Sequence, residues 1–212
     1  MTKIEKVTAF VTRETDHGLE LLLFKHPYAG IQIPAGTVEP NESPEKAVIR
    51  EVQEETGLNE VEILSLLGTK IETSPNDQKI INAPATVYSR PDLTSCDWIQ
   101  IKFTIYVKIH RKESGFTQIT YLEYDQVPDP NYISMQITGW VANEFLANEF
   151  ERHFYHLKFT GQSPEKWEVY TDYHTFEPFW APIDNLPNII PPQDRWLDYL
   201  DKKLHFKTNK AE

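Results

Sequence analysis

Residues 36–58 read GTVEPNESPEKAVIREVQEETGL. Within them, Ser43 and Pro44 form a helix start. A serine hydroxyl accepts from an amide of the first turn, and the N–H that proline lacks is unpaired there in any case. Gly57 is a helix stop, because glycine takes the left-handed position after a helix at little cost. The spacing therefore predicts a helix over 44–56. At about 100° per residue, Glu51, Glu54 and Glu55 share a sector of roughly 100°. Val48, Ile49 and Val52 occupy another sector and are expected to face a core. Ala47 falls on the acidic side, one turn before Glu51.

Three carboxylates on one face repel, at a cost of about 0.2–0.5 kcal/mol per pair even in water. A hard divalent cation reverses that sign. Mg²⁺ takes oxygen ligands in octahedral geometry and is commonly held by a few carboxylates together with substrate phosphates. The loop GTVEPN leads into the helix and could add a backbone carbonyl. Charge runs usually face water and do nothing more, but the surrounding spacing sets this one apart. The stretch fits G-x5-E-x7-R-E-U-x-E-E-x-G-U at all nine specified positions, where U is a bulky aliphatic residue. With average residue usage, chance agreement in a chain of this length is on the order of one in a million or rarer.

This pattern is the Nudix box, and the sequence resembles the Nudix hydrolase family. A Pro-Ala-Gly lead-in and two strands before the box, with strands and a helix at the C-terminal end, are similar to that family too. The resemblance implies an α/β fold, an α/β/α sandwich around a mixed β-sheet. It implies hydrolysis of a nucleoside diphosphate linked to another moiety, with Mg²⁺ or Mn²⁺ as cofactor. Carried over by position, Glu51, Glu54 and Glu55 ligate metal with the carbonyl of Gly36, and Arg50 orients the glutamates, paired with Glu42. Glu51, Glu54 and Arg50 are thus the catalytic candidates. The family leaves the general base open between a box glutamate, here Glu54 or Glu51, and the loop before the last strand, here Glu165, Glu168, Asp172 or Glu177. The Pro-Ala-Gly form is similar to ADP-ribose-type members, and Pro75, 17 residues past Leu58, nearly matches a proline of theirs. ADP-ribose or a nucleotide sugar is therefore the favoured substrate, ahead of a nucleoside triphosphate. Two other functions remain open: a non-catalytic nucleotide-binding regulatory module, and an isoprenoid-diphosphate isomerase. The intact glutamates speak against the first and the isolated cysteine against the second.

Outward from the box, residues 4–12 and LELLLFKH before the box read as a hairpin around Thr15-Asp16-His17-Gly18, and IQIPAG as a short extended piece. After it come VEILSLLGTKIET (61–73), ATVYS (85–89), WIQIKFTIYVKIH (98–110) and FTQITYLEY (116–124), all strand-like, with 98–124 a hairpin about Lys112-Glu113-Ser114-Gly115. GWVANEFLANEF (139–150) reads as a helix, RHFYHLKFT (152–160) and HTFEPFWAP (174–182) as strands, and PQDRWLDYLDKKLHF (192–206) as an amphipathic closing helix. The expected organisation is one Nudix domain over 1–208 with a β-rich insertion at about 76–150 and a frayed tail at 209–212. Trp98, Phe103, Tyr106, Tyr121, Trp140 and Phe145 give the 85–150 portion more apolar surface than a solvated excursion carries. It is expected either to extend the central sheet or to build a homodimer interface that walls the site, the dimer being favoured.

The chain has 212 residues, 40% hydrophobic and 25% charged, with 32 acidic against 21 basic residues and a net charge of −11. That balance argues against tracking nucleic-acid phosphates or anionic membranes. It leaves an anionic small molecule open, because bound cations override local charge. One cysteine, Cys96, allows no intrachain disulfide and makes a reducing, cytoplasmic compartment the expectation. The first ten residues lack the apolar core of a signal peptide, and no run of about 18 apolar residues is present. His153 and His156 are spaced H-x-x-H, but in a strand they face opposite sides. Tyr88, Trp98 and Trp167 are candidate base-stacking aromatics, each more simply read as packing.

Overall fold

A computed structural model describes residues 4–126, 129–171 and 173–204. The chain divides into two compact units, one holding Glu5–Lys70 and the chain from Arg152 onward, the other Ile4 and Ile71–Glu151.

The first unit is built on strands β1 (Ile4–Thr15), β2 (Gly18–His26), β3 (Gly30–Gln32), β4 (Ala35–Thr37) and β5 (Val61–Thr73), with helix α1 (Pro44–Thr56) between β4 and β5. The chain leaves this unit within β5 and re-enters it within a later strand, Glu149–Phe159. Alternation decides the layering. Val7, Ala9 and Val11 of β1, Leu22 of β2, Leu157 and Trp180 form one buried cluster with Ala47, Val48 and Val52 of α1. The intervening residues Phe10, Leu21, Leu23, Phe154 and Ala181 form a second cluster with Trp196, Leu197 and Leu200 near the C-terminal end. A sheet that is apolar on both faces must be covered on both, so α1 lies on one side and the closing helix on the other. This is the α/β/α sandwich. β4 pairs antiparallel with β1, Gly36 opposite Val7, which places the start of the box directly before its helix.

The second unit is a separate seven-stranded sheet. In chain order its strands are β6 (Gln78–Ile81), β7 (Ala85–Tyr88), β8 (Asp97–Ile101), β9 (Tyr106–Glu113), β10 (Phe116–Tyr124), β11 (Ile133–Ala142) and β12 (Leu146–Ala147). In space they run β12-β6-β9-β10-β11-β7-β8. Of the two expectations for this segment, the less favoured one, extension of the central sheet, is not what its strands do. The expected single strand at 98–110 is two strands, broken over 102–105 with Thr104 at φ 66°. Its apolar alternation survives because Ile99, Ile101, Ile105, Val107 and Ile109 all reach the same cluster. The 139–150 segment is not a helix. β11 runs through Trp140 and Val141 in register with Gln118 and Thr117 of β10, and only a 3₁₀ turn at Asn143–Phe145 is helical. Trp140, Tyr121 and Phe145 pack inside this unit, whereas Trp98 and Tyr106 are exposed.

β13 (Glu149–Phe159), β14 (Val169–Thr171) and β15 (His174–Pro182) complete the first unit's sheet, in the spatial order β14-β15-β2-β1-β13-β5. The closing segment is a 3₁₀ turn at Gln193–Trp196 followed by α2 (Leu197–Leu204), and positions 205–206 of the expected helix lie outside the described residues. Among the described residues no helix is long and apolar enough to cross a membrane.

Candidate active site

Helix α1 forms with the caps its sequence dictates. Ser43 is extended at φ −89°, ψ 154°, and its side chain accepts from the Lys46 amide. Gly57 is left-handed at φ 73°, ψ 1°, and its amide donates to the Gln53 carbonyl. The buried face is rotated from the expected one. Ala47 and Glu51 are buried and Ile49 is exposed, because the β4 segment, rather than solvent, lies against the Glu51 side of the helix.

Arg50 organises the carboxylates. Its guanidinium forks onto Glu42, Nε to Oε1 at 2.9 Å and Nη2 to Oε2 at 2.8 Å. Nη1 donates to Glu51 Oε1 at 2.9 Å and to Glu54 Oε2 at 3.0 Å, and Nη2 also reaches the Thr37 carbonyl. A planar fork with five donors can do this and an ammonium cannot. The hydrogen bond to Glu42 above all keeps Arg50 firmly protonated, and the same bond holds the Glu42 carboxyl below its usual range.

Glu51 is the sharpest feature. Its carboxylate is covered, and burial pushes its pKa up despite the adjacent Arg50. The Thr37 amide donates to Oε1 at 3.1 Å. A Cβ at position 36 would lie 1.9 Å from the carboxyl carbon, so glycine there leaves the space that the carboxylate fills. Glu55 accepts the Ala35 amide at 2.9 Å, and the Glu54 side chain is 51% exposed. The Pro-Ala-Gly strand thus presents two backbone amides to the helix's carboxylates. The donor set is carboxylate oxygens with a glycine cradle, one of them buried so that its charged form is disfavoured, a penalty that a cation would offset. That chemistry fits a hard divalent metal.

At the C-terminal residue of α1, Trp167 Nε1 donates to the Thr56 carbonyl at 2.6 Å. Trp167 also lines a cavity of about 470 Å³ together with Lys25, Lys166, Glu168, Glu177 and Phe179. Cations, carboxylates and an aromatic wall line it, and Trp167 links it to Thr56 at the end of α1.

The NUDIX domain model matches residues 3–108. The chain belongs to the Nudix family. No curated protein sequence matches it. Among solved structures, the NUDIX domain of Shewanella oneidensis NrtR, in complex with ADP ribose, is 14% identical over 96% of this chain and 90% of its own, with a TM-score of 0.48. A MutT protein from Methanosarcina mazei is 17% identical over 95% and 93%, with a TM-score of 0.40. A C. elegans Ap4A hydrolase is 12% identical over 84% and 79%, with a TM-score of 0.34. Identities and scores this low leave the substrate to be argued from this chain's own residues.

The other candidates of this Nudix protein disperse. Of the four acids considered before the last strand, Glu168 and Glu177 line the cavity beside α1, Glu177 lying 3.6 Å from Lys25. Glu165 is instead drawn by Arg13, at 2.8 Å, into a different cleft with Lys158 and Ser163. Asp172 lies outside the described residues. His153 pairs with Glu5 and His156 with Thr12, each at 2.9 Å, on opposite faces of β13. Ser74 and Pro75 form the turn before β6, in the second unit. Tyr88, Trp98 and the exposed Cys96 also belong to that unit. Sequence reasoning missed Thr37 and Ala35, whose contribution is backbone N–H, and Lys25, Lys166 and Phe179, which only the fold of β2 and β15 brings together.

Proposed function

We propose that this Nudix protein is a divalent-metal-dependent pyrophosphohydrolase that cleaves the diphosphate linkage of a nucleoside diphosphate derivative, of ADP-ribose or nucleotide-sugar type. The observation that carries the reading is the buried Glu51 carboxylate, clasped by Arg50 and the Thr37 amide over a glycine. In this reading Glu51, Glu54, Glu55 and the Gly36 carbonyl hold Mg²⁺ or Mn²⁺. Bound there, the metal would neutralise the diphosphate and acidify a water for in-line attack on phosphorus.

The chain's own groups do the rest. Arg50 fixes the rotamers of Glu51 and Glu54 and is itself fixed by Glu42. Glu54, the most open of the box carboxylates considered, takes the proton from the attacking water. The cavity's size falls within the roughly 300–1,000 Å³ of small-molecule sites. Lys25 and Lys166 suit phosphate oxygens there, and Trp167 and Phe179 suit a flat or sugar moiety. The Pro-Ala-Gly lead-in supports the ADP-ribose type. The two compact units are read as one Nudix domain carrying a β-rich insertion.

The test is a panel of nucleoside diphosphate derivatives with Mg²⁺ and Mn²⁺, scored for released monophosphate. Glu51→Gln and Glu55→Gln should each lower turnover by at least about 10²-fold with unchanged circular dichroism. Tight binding of a panel member without turnover would instead establish a non-catalytic binding module.

A further inference from the structure

The carboxylates of the box sit at the electrically wrong end of their helix. The macrodipole of a helix places partial negative charge on its C-terminal carbonyls. Glu54 and Glu55 lie in the last turn of α1, and that turn carries no basic residue. The orphan carbonyls of this end must still find donors. Gly57 N–H donates to the Gln53 carbonyl, whereas the Thr56 hydroxyl turns back to the Val52 carbonyl and serves none of the last four. Thr56 is fully buried, so water cannot serve its own carbonyl. The donor that reaches it is the indole N–H of Trp167, 111 residues further along the chain.

Trp167 is anchored on its other side as well. Its amide donates to the Pro178 carbonyl, Lys166 bridges to Phe179, and its ring packs against the cluster beneath α1. Val169, two residues on, approaches Gly57 so closely that an added Cβ would meet it at 3.3 Å. The 166–169 segment is thus tied to β15 by its backbone and to the end of α1 by the side chains of Trp167 and Val169. Lys166 and Glu168, which flank Trp167, both line the cavity.

We propose that Trp167 is a positioning residue of the metal site: its indole N–H fixes the last turn of α1, and with it Glu54 and Glu55, in register with Lys166 and Glu168 at the cavity. The assignment rests on the metal-binding reading of the box.

The test is Mn²⁺ affinity by electron paramagnetic resonance on the full chain. Trp167→Phe keeps the aromatic packing and removes the N–H. Trp180→Phe is the matched control, because its indole donates to Ser163 rather than to α1. A neutral hydrogen bond corresponds to about two- to tenfold in an equilibrium constant. Trp167→Phe should therefore weaken Mn²⁺ binding about threefold or more, while Trp180→Phe stays within about twofold of wild type at a comparable loss of thermal stability. Should Trp167→Phe unfold, 3-benzothienylalanine at position 167 repeats the deletion on a ring of the indole's size, with sulfur in place of the N–H. Affinity unchanged in the Trp167 variant, or weakened equally in both, overturns the positioning role alone. Wild type that shows no Mn²⁺ site sensitive to Glu54→Gln overturns the metal-binding reading and this role with it.

Discussion

Replacing Gly36 with alanine perturbs the site by a single methyl group. The new Cβ would stand 1.9 Å from both the carboxyl carbon and Oε1 of Glu51, and 2.2 Å from Oε2. That is about 1.6–2.1 Å inside an ordinary carbon contact. Residue 36 is not left-handed, so the substitution strains no backbone torsion, and the entire effect falls on the carboxylate. Glu51 is a flexible side chain and will retreat, but a retreat of that size breaks its bonds from Thr37 N–H and from Arg50, now 3.1 and 2.9 Å. Hydrogen bonds to charged groups are worth about 1.5–3 kcal/mol each, and Arg50 keeps Glu42 and Glu54, so the net loss should be about 2 kcal/mol. In a chain of this size that lowers the unfolding midpoint by roughly 4–8 °C. The assay is thermal unfolding with and without Mn²⁺. A ligand that binds only the folded state raises the midpoint, so the Mn²⁺-dependent increment of wild type should shrink or vanish in Gly36→Ala. A variant with the wild-type midpoint and the wild-type increment would refute the cradle.

Arg50→Lys keeps the charge but cannot span Glu42, Glu51, Glu54 and the Thr37 carbonyl together. Urea unfolding should show a loss of about 2–4 kcal/mol, and a loss below about 1 kcal/mol would contradict the organising role. His26 accepts the amide protons of Tyr28 and Ala29 at Nδ1, at 3.1 Å each, and burial and then His174 hold its pKa below the ordinary histidine value. The unfolded chain takes up this proton first, so the stabilisation of the turn is complete above about pH 6.5 and is lost as pH falls through the lower folded value. Amide exchange at Tyr28 and Ala29 should therefore speed up in acid beyond the intrinsic trend. His26→Asn, which keeps an acceptor that does not titrate, should abolish the excess, and an unaltered profile in that variant would dismiss the histidine.

The box helix was legible because every determinant is local. Ser43, Pro44 and Gly57 cap it by their own chemistry, and the glutamate spacing follows from helix geometry. The alternation in β1 and β2 was legible for the same reason. The rotation of the buried face toward Ala47 and Glu51 was not, since it depends on β4 covering that side. The strand at 139–142 was hidden because Trp140 and Val141 followed by Phe145 and Leu146 fit two periodicities about equally, and pairing with β10 decides between them. The Thr56–Trp167 contact has no sequence signature at all, because it joins residues whose proximity is created only when β14 and β15 fold beside α1.

Calorimetric titration of Mn²⁺ into wild type and Glu54→Gln asks whether the box carboxylates hold a divalent cation. Glu54 is half exposed and bonded to Arg50, so the substitution leaves the fold intact while removing one ligand charge. Wild type should bind saturably, and the variant should show a lower affinity or stoichiometry. Superimposable isotherms would contradict the metal-binding reading.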